Sequence, residues 1–244
     1  ILAALLLVFS GPVAASVLVG SIASIGLLRR PFLLLNVVVV FAVIEQLGTI
    51  AESPVYTLTG VKIAGYMLVF ALAIDVFIRR ARLQVDFPNV MVGALLVGVL
   101  ASFTQSQVLS LSVSESLRLF QLAILFLAVR HLVDSPEKLV IVAKTLVIAM
   151  TLSAIWGIGT YYLGSDARVT GIAQNAALLS ADLLIAMAFA GALLLTGKRK
   201  GARIFWAVLI AIMAFALWGT WTRAALLAAA FGLAAGILAA PRLA

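Results

Sequence analysis

The residues able to do chemistry are few. Among 244 residues there are 17 Lys and Arg, 9 Asp and Glu, one His and no Cys. The lack of Cys excludes thiolate metal sites, iron–sulfur clusters and thiol nucleophiles. A lone His131 excludes multi-histidine metal centres. No Walker A sequence, no Gly-x-Ser-x-Gly elbow and no metal-ligand pair occurs. What stands out is arginine near the expected starts of apolar runs: Arg118, Arg168 and Arg223. Helix N-termini expose N–H groups at a positive dipole end. Arginine adds a planar fork that grips two phosphate oxygens. Together they suit a phosphate or diphosphate.

Two further readings stay open for these arginines. Each can snorkel to lipid headgroups, or be neutralised by Glu115, Asp166 or Asp182. Asp182 falls about ten residues into an apolar run, where a charge needs a partner. It reads as a base, an arginine-orienting acid, a structural partner of Arg223 or a protonated carboxyl. Glu45 carries the same ambiguity. His131, beside Arg130 and Asp134, reads as a solvated loop residue, and Lys62 as an interface anchor.

Composition decides what positions these residues. Hydrophobic residues make up 65% of the chain and charged residues 11%. A soluble domain averages about 45–50% and about 25%, so most of this apolar surface would face water in a soluble fold. The same hydrophobicity excludes disorder. Continuous apolar runs argue against a membrane β-barrel, whose segments alternate. The expected fold class is therefore all-α, a polytopic transmembrane helix bundle with about nine spans in one domain over residues 1–244. The runs are Ile1–Leu28, kinked at Gly11-Pro12, then Phe32–Ile50, Lys62–Ile78, a fourth after Pro88, and Glu115–Leu132. A loop is expected from Glu52-Ser53-Pro54, and a Ser/Gln-rich stretch runs from Ser102 to Ser114. Asp134-Ser135-Pro136-Glu137 predicts a helix start running to about Leu163. Runs Ile172–Leu195, Arg203–Trp218 and Ala224–Ala240 complete the set. Gly157-Ile158-Gly159 reads as close helix packing. Tyr56, Tyr161, Tyr162, Trp218 and Trp221 read as an interfacial aromatic belt.

The net charge of +8 lies in short basic clusters between the runs, which is a topology signal rather than a nucleic-acid footprint. With the Arg29-Arg30 loop inside, alternation puts thirteen basic residues inside and four outside: Lys62, Arg118, Arg168 and Arg223. Both ends of residues 203–240 then lie inside. As one helix that stretch would be about 57 Å long, nearly twice the hydrocarbon core, so a turn is expected at Gly219–Arg223. The chain starts at Ile1 and stops just after an apolar run. Both ends read as cut, so a fragment is expected.

Two regions resemble the O-antigen ligase and polymerase family. Arg168-Val169-Thr170-Gly171-Ile172-Ala173-Gln174-Asn175 is similar to its Arg-x-x-Gly-x-x-x-Asn segment. Leu217-Trp218-Gly219-Thr220-Trp221-Thr222-Arg223-Ala224-Ala225-Leu226-Leu227 is similar to its Thr-x-Ser-Arg-Gly-x-x-Leu motif, with Thr222 for Ser and Ala224 for Gly. The resemblance implies a multi-span enzyme of polysaccharide and lipopolysaccharide assembly in the bacterial inner membrane. Such an enzyme works on the outer, periplasmic face. It moves a glycan from an undecaprenyl-diphosphate donor to an acceptor glycan or the lipid A core. It implies Arg168 and Arg223 as diphosphate ligands, with Arg118 and Thr222 beside them, and Asp182, Gly171 and Asn175 in support. No cofactor, metal or nucleic acid is expected; membrane lipids are. In the family, a large outer loop with a His thought to be catalytic follows, then more spans, so the catalytic residue stays unassigned here. From other classes stand a transporter or channel using Asp182 and Glu45, and a non-catalytic subunit of an envelope complex.

Overall fold

The computed structural model describes residues 26–28, 30–44, 49–52, 57–78, 86–102, 109–164, 167–172 and 175–239. The apolar run before residue 26, Glu45 and Asp166 lie outside them. The described chain is helical apart from one short ribbon. Its elements are α1 (Pro31–Val43), β1 (Thr49–Glu52), β2 (Thr57–Thr59), α2 (Gly60–Ala73, prolonged by a π turn at Ile74–Ile78) and α3 (Phe87–Ser102). Then come α4 (Leu109–Leu132), α5 (Pro136–Tyr162), α6 (Ala176–Thr196), α7 (Lys200–Gly219) and α8 (Arg223–Ala239).

Four of these are long and apolar enough to cross a membrane: Gly60–Ile78, Pro136–Tyr162, Ala176–Thr196 and Lys200–Gly219. Four shorter apolar helices are Pro31–Val43, Phe87–Ser102, Leu119–Leu132 and Arg223–Ala234. The second run ends at Val43, earlier than Ile50. The expected loop at Glu52 is flanked by an antiparallel ribbon pairing Thr49 with Thr59 and Glu52 with Thr57.

Two compact units divide the chain, residues 1–38 with 62–134 and residues 39–61 with 135–244. In the first, α2, α3 and α4 are tied by polar contacts. Asp86 accepts from the Asn89 N–H at 3.3 Å, which caps α3, and also pairs with the Arg130 guanidinium. Gln121 Nε2 donates to Tyr66 Oη at 3.3 Å. His131 is not a solvated loop residue. It lies in the last turn of α4, largely buried, with Nε2 3.6 Å from Oδ2 of Asp75 in the π turn.

The second unit holds the larger core. Ser135 caps α5 by accepting from the Lys138 N–H, with Pro136 in the first turn, as the sequence predicts. Buried residues recur every three or four positions: Ala143, Val147, Met150, Ala154 and Gly157 on α5, and Leu179, Leu183, Ala186, Ala190 and Leu193 on α6. That spacing is a helix–helix seam. Small residues in it let backbones approach closely, as membrane helices require. Met213, Ala216, Leu217 and Trp206 of α7 and Ala225 of α8 complete the core. α6 has 21 residues and α7 has 20, each about 30 Å long. That matches one hydrocarbon thickness.

Candidate functional site

The loop between α5 and α6 is pinned from both sides. After Tyr162 the chain turns through Gly164, whose φ is +75°. Ala167 and Arg168 form a bend, and the next residue, Val169, donates its N–H to Gly219 O at 2.9 Å. Gly171 has φ +65° and sits so close to α6 that a Cβ there would lie 2.8 Å from Leu179 Cδ1. The Ile172 N–H donates to the buried Ser153 Oγ at 3.2 Å. Asn175 then caps α6, its Oδ1 accepting from Ala177 N at 3.0 Å and Leu178 N at 3.2 Å. Gly171 and Asn175 thus shape the loop that carries Arg168. Gly157 packs against this loop rather than against a helix. A Cβ on it would meet Gly171 N at 2.6 Å, while Gly159 has open space.

The α7–α8 connection is the tight turn expected from the hairpin argument. α7 ends at Gly219 and α8 begins at Arg223. Thr220 is fully buried at its centre. Its Oγ1 donates to Leu217 O at 2.7 Å and accepts from Thr222 N at 3.3 Å. Trp221 takes a left-handed backbone, φ +55°. Thr222 Oγ1 is 3.5 Å from Ala176 O, so the start of α8 sits beside the start of α6.

These contacts bring Arg168 and Arg223 to the same end of the second unit. Arg168 precedes the residue bonded to Gly219, and Arg223 follows Gly219 by one turn. Both side chains are exposed, and among the described residues neither forms an ion pair. The N-termini of α6 and α8, each a positive dipole end, converge there too. Thr222 is half-buried and already directs its hydroxyl toward backbone carbonyls.

Arg118 belongs to the other unit. It lies nine residues past the start of α4, not in its first turns, because the Ser-rich stretch from Leu109 is helical. Asp182 is two turns into α6, on the exposed face with Leu178 and Ile185. Among the described residues it forms no ion pair with Arg223.

One cleft at the arginine end was not expected. Tyr161 and Tyr162 from α5, Phe215 and Trp218 from α7, and Trp221 from the turn line an open cleft of about 210 Å³. Val169 and Gly219 form the rest of its wall. The Tyr162 and Phe215 rings are parallel, 2° apart with centroids at 6.4 Å. All but Phe215 belong to the interfacial belt that the sequence suggests. Their convergence comes from the direct packing of α5 on α7, which sequence alone does not reveal.

Comparison with protein-family models, with curated proteins and with solved structures finds no match.

Proposed function

We propose that this chain is the donor-binding membrane part of a lipid-linked glycan ligase or polymerase of the O-antigen ligase type. In this reading about nine spans cross the bacterial inner membrane, and the Arg168–Arg223 end faces outward. One observation carries the reading: two arginines 55 residues apart are held at one helix end by the Val169–Gly219 and Thr222–Ala176 contacts. The donor is an undecaprenyl-diphosphate glycan. The acceptor is a sugar hydroxyl of another glycan or of the lipid A core.

In the transfer, the acceptor oxygen attacks the anomeric carbon of the donor. The bond from that carbon to the diphosphate oxygen breaks, and the acceptor proton passes to a base. Charge builds on the departing undecaprenyl diphosphate. Arg168 and Arg223 stabilise that charge, aided by the two helix N-termini. A charge-assisted hydrogen bond contributes about 1.5–3 kcal/mol. Each arginine is therefore worth roughly tenfold to a hundredfold in rate. Lysine keeps the charge and loses the fork. Glycan transfer from an undecaprenyl-diphosphate donor, assayed in membranes with equal expression, should fall by that factor in Arg168→Lys and in Arg223→Lys. Full activity in both variants would overturn the reading.

A further inference from the structure

We infer that the aromatic cleft beside Arg168 and Arg223 is a saccharide subsite, which seats the sugar ring linked directly to the donor diphosphate. The inference rests on the diphosphate reading of the two arginines and adds where the sugar goes.

Four observations support a sugar ring as the occupant. The first is size. Sites for drug-sized ligands run to about 300–1,000 Å³, whereas this cleft holds about 210 Å³, room for a single ring. The second is chemistry. A pyranose presents a flat face of C–H groups and a rim of hydroxyls. Tyr162, Trp218 and Trp221 offer ring faces for the former, and phenol and indole groups for the latter. A polyprenyl chain has no hydroxyls to use those polar tips. The third is convergence. The rings come from the end of α5, the end of α7 and the α7–α8 turn, and meet in one cleft. Anchoring at a membrane interface needs no such meeting. The fourth is strain. Trp221 holds φ +55°, a conformation rare for bulky side chains. Such outliers cluster at ligand sites, where the surroundings impose them.

Position links the cleft to the diphosphate. Val169 lines the cleft and adjoins Arg168, while Trp221 lines it two residues before Arg223. A sugar in the cleft would thus adjoin a diphosphate held by the arginines.

The test is equilibrium binding to the purified protein in detergent. Two radiolabelled probes are compared: a short-chain prenyl diphosphate carrying one hexose, and the same prenyl diphosphate without sugar. The hexose should tighten binding about tenfold, the order of one aromatic packing contact. Trp221→Gly keeps the left-handed turn, since glycine adopts it freely, and should abolish the sugar advantage. Tyr162→Leu should reduce it, and Tyr162→Phe, which keeps the ring face, should retain most of it. Neither change at Trp221 nor at Tyr162 should alter binding of the sugar-free probe. Equal affinity of both probes for the unaltered protein would overturn the subsite. So would an undiminished sugar advantage in Trp221→Gly. The diphosphate reading fails separately, if the sugar-free probe binds Arg168→Lys and Arg223→Lys as tightly as the unaltered protein.

Discussion

Replacing Gly219 with Ala should disturb the loop that carries Arg168. A Cβ at residue 219 would lie 2.5 Å from Val169 Cγ2 and 3.4 Å from Val169 Cβ. The first distance is inside van der Waals contact, so one side must move. Val169 is only 2% exposed, and its N–H is bonded to Gly219 O. Overpacking of this kind costs about 1–3 kcal/mol. At about 2–4 °C per kcal/mol for a chain of this size, the thermal midpoint should drop by about 2–12 °C. Val169→Ala removes the offending methyl and leaves the ordinary 3.4 Å contact. Alone it loses two buried methyl groups, about 1.6 kcal/mol. The double variant should therefore be less destabilised than the two single losses added together, with a coupling of about 0.5–3 kcal/mol. The assay is a four-way cycle of thermal midpoints for the purified protein in one detergent. Gly157→Ala supplies a graded contrast. Its Cβ would meet Gly171 N at 2.6 Å and Cα at 2.8 Å, both backbone atoms, and Val169 Cγ1 at 2.9 Å. Val169→Ala relieves only the last of these, so its coupling with Gly157→Ala should be smaller than with Gly219→Ala. Additive losses for Gly219→Ala and Val169→Ala would refute the idea that this contact fixes the loop.

Ser153→Ala should cost about 1–3 kcal/mol, because the buried Ile172 N–H loses its acceptor. Thermal midpoints would show it, and an unchanged midpoint would contradict it. Asp182→Asn should not lower stability in detergent, because among the described residues the acid forms no ion pair and an amide costs less than a carboxylate on an apolar-facing helix surface. A loss of several kcal/mol would instead indicate a paired acid. Arg130→Ala should destabilise the first unit through Asp86, which would keep its cap on α3 but lose its guanidinium partner. Because that pair is about one-third exposed, the loss should stay near 0–1 kcal/mol, measured the same way.

Local signals in the sequence were sufficient where short-range chemistry sets the structure. Ser135-Pro136-Glu137 announces the start of α5 through a capping oxygen and a proline in its first turn. Gly219–Arg223 announces a turn because a single helix over residues 203–240 would overrun the membrane. Asn175 sits at the helix start that its residue type favours. Elsewhere the decisive contacts are long-range. His131 meets Asp75 across 56 residues, through a π turn that no periodicity marks. The ribbon does leave a trace, since Thr49, Ile50, Thr57 and Thr59 are β-branched, but the Glu52-Ser53-Pro54 loop signal masks it. The serines of residues 109–114 suggest a loop, which would set Arg118 in the first turns of its helix. They are instead helical residues interleaved with Leu and Val. The aromatic cleft is not legible in the sequence because it needs α5 packed on α7, with the Tyr162 and Phe215 rings meeting across 53 residues.

The most direct measurement is thiol cross-linking in intact cells, which the absence of Cys from these 244 residues favours. A short, membrane-impermeant bifunctional reagent should join Arg168→Cys to Arg223→Cys, since both lie at one exposed end. It should not join Arg168→Cys to Lys200→Cys. Lys200 begins α7, which ends at Gly219 about 30 Å away, on the side expected to face the cytoplasm. A linked 168–223 pair with an unlabelled residue 200 is the predicted result. A linked 168–200 pair, or residues 168 and 223 that stay unlabelled from outside, would contradict an outward-facing diphosphate site.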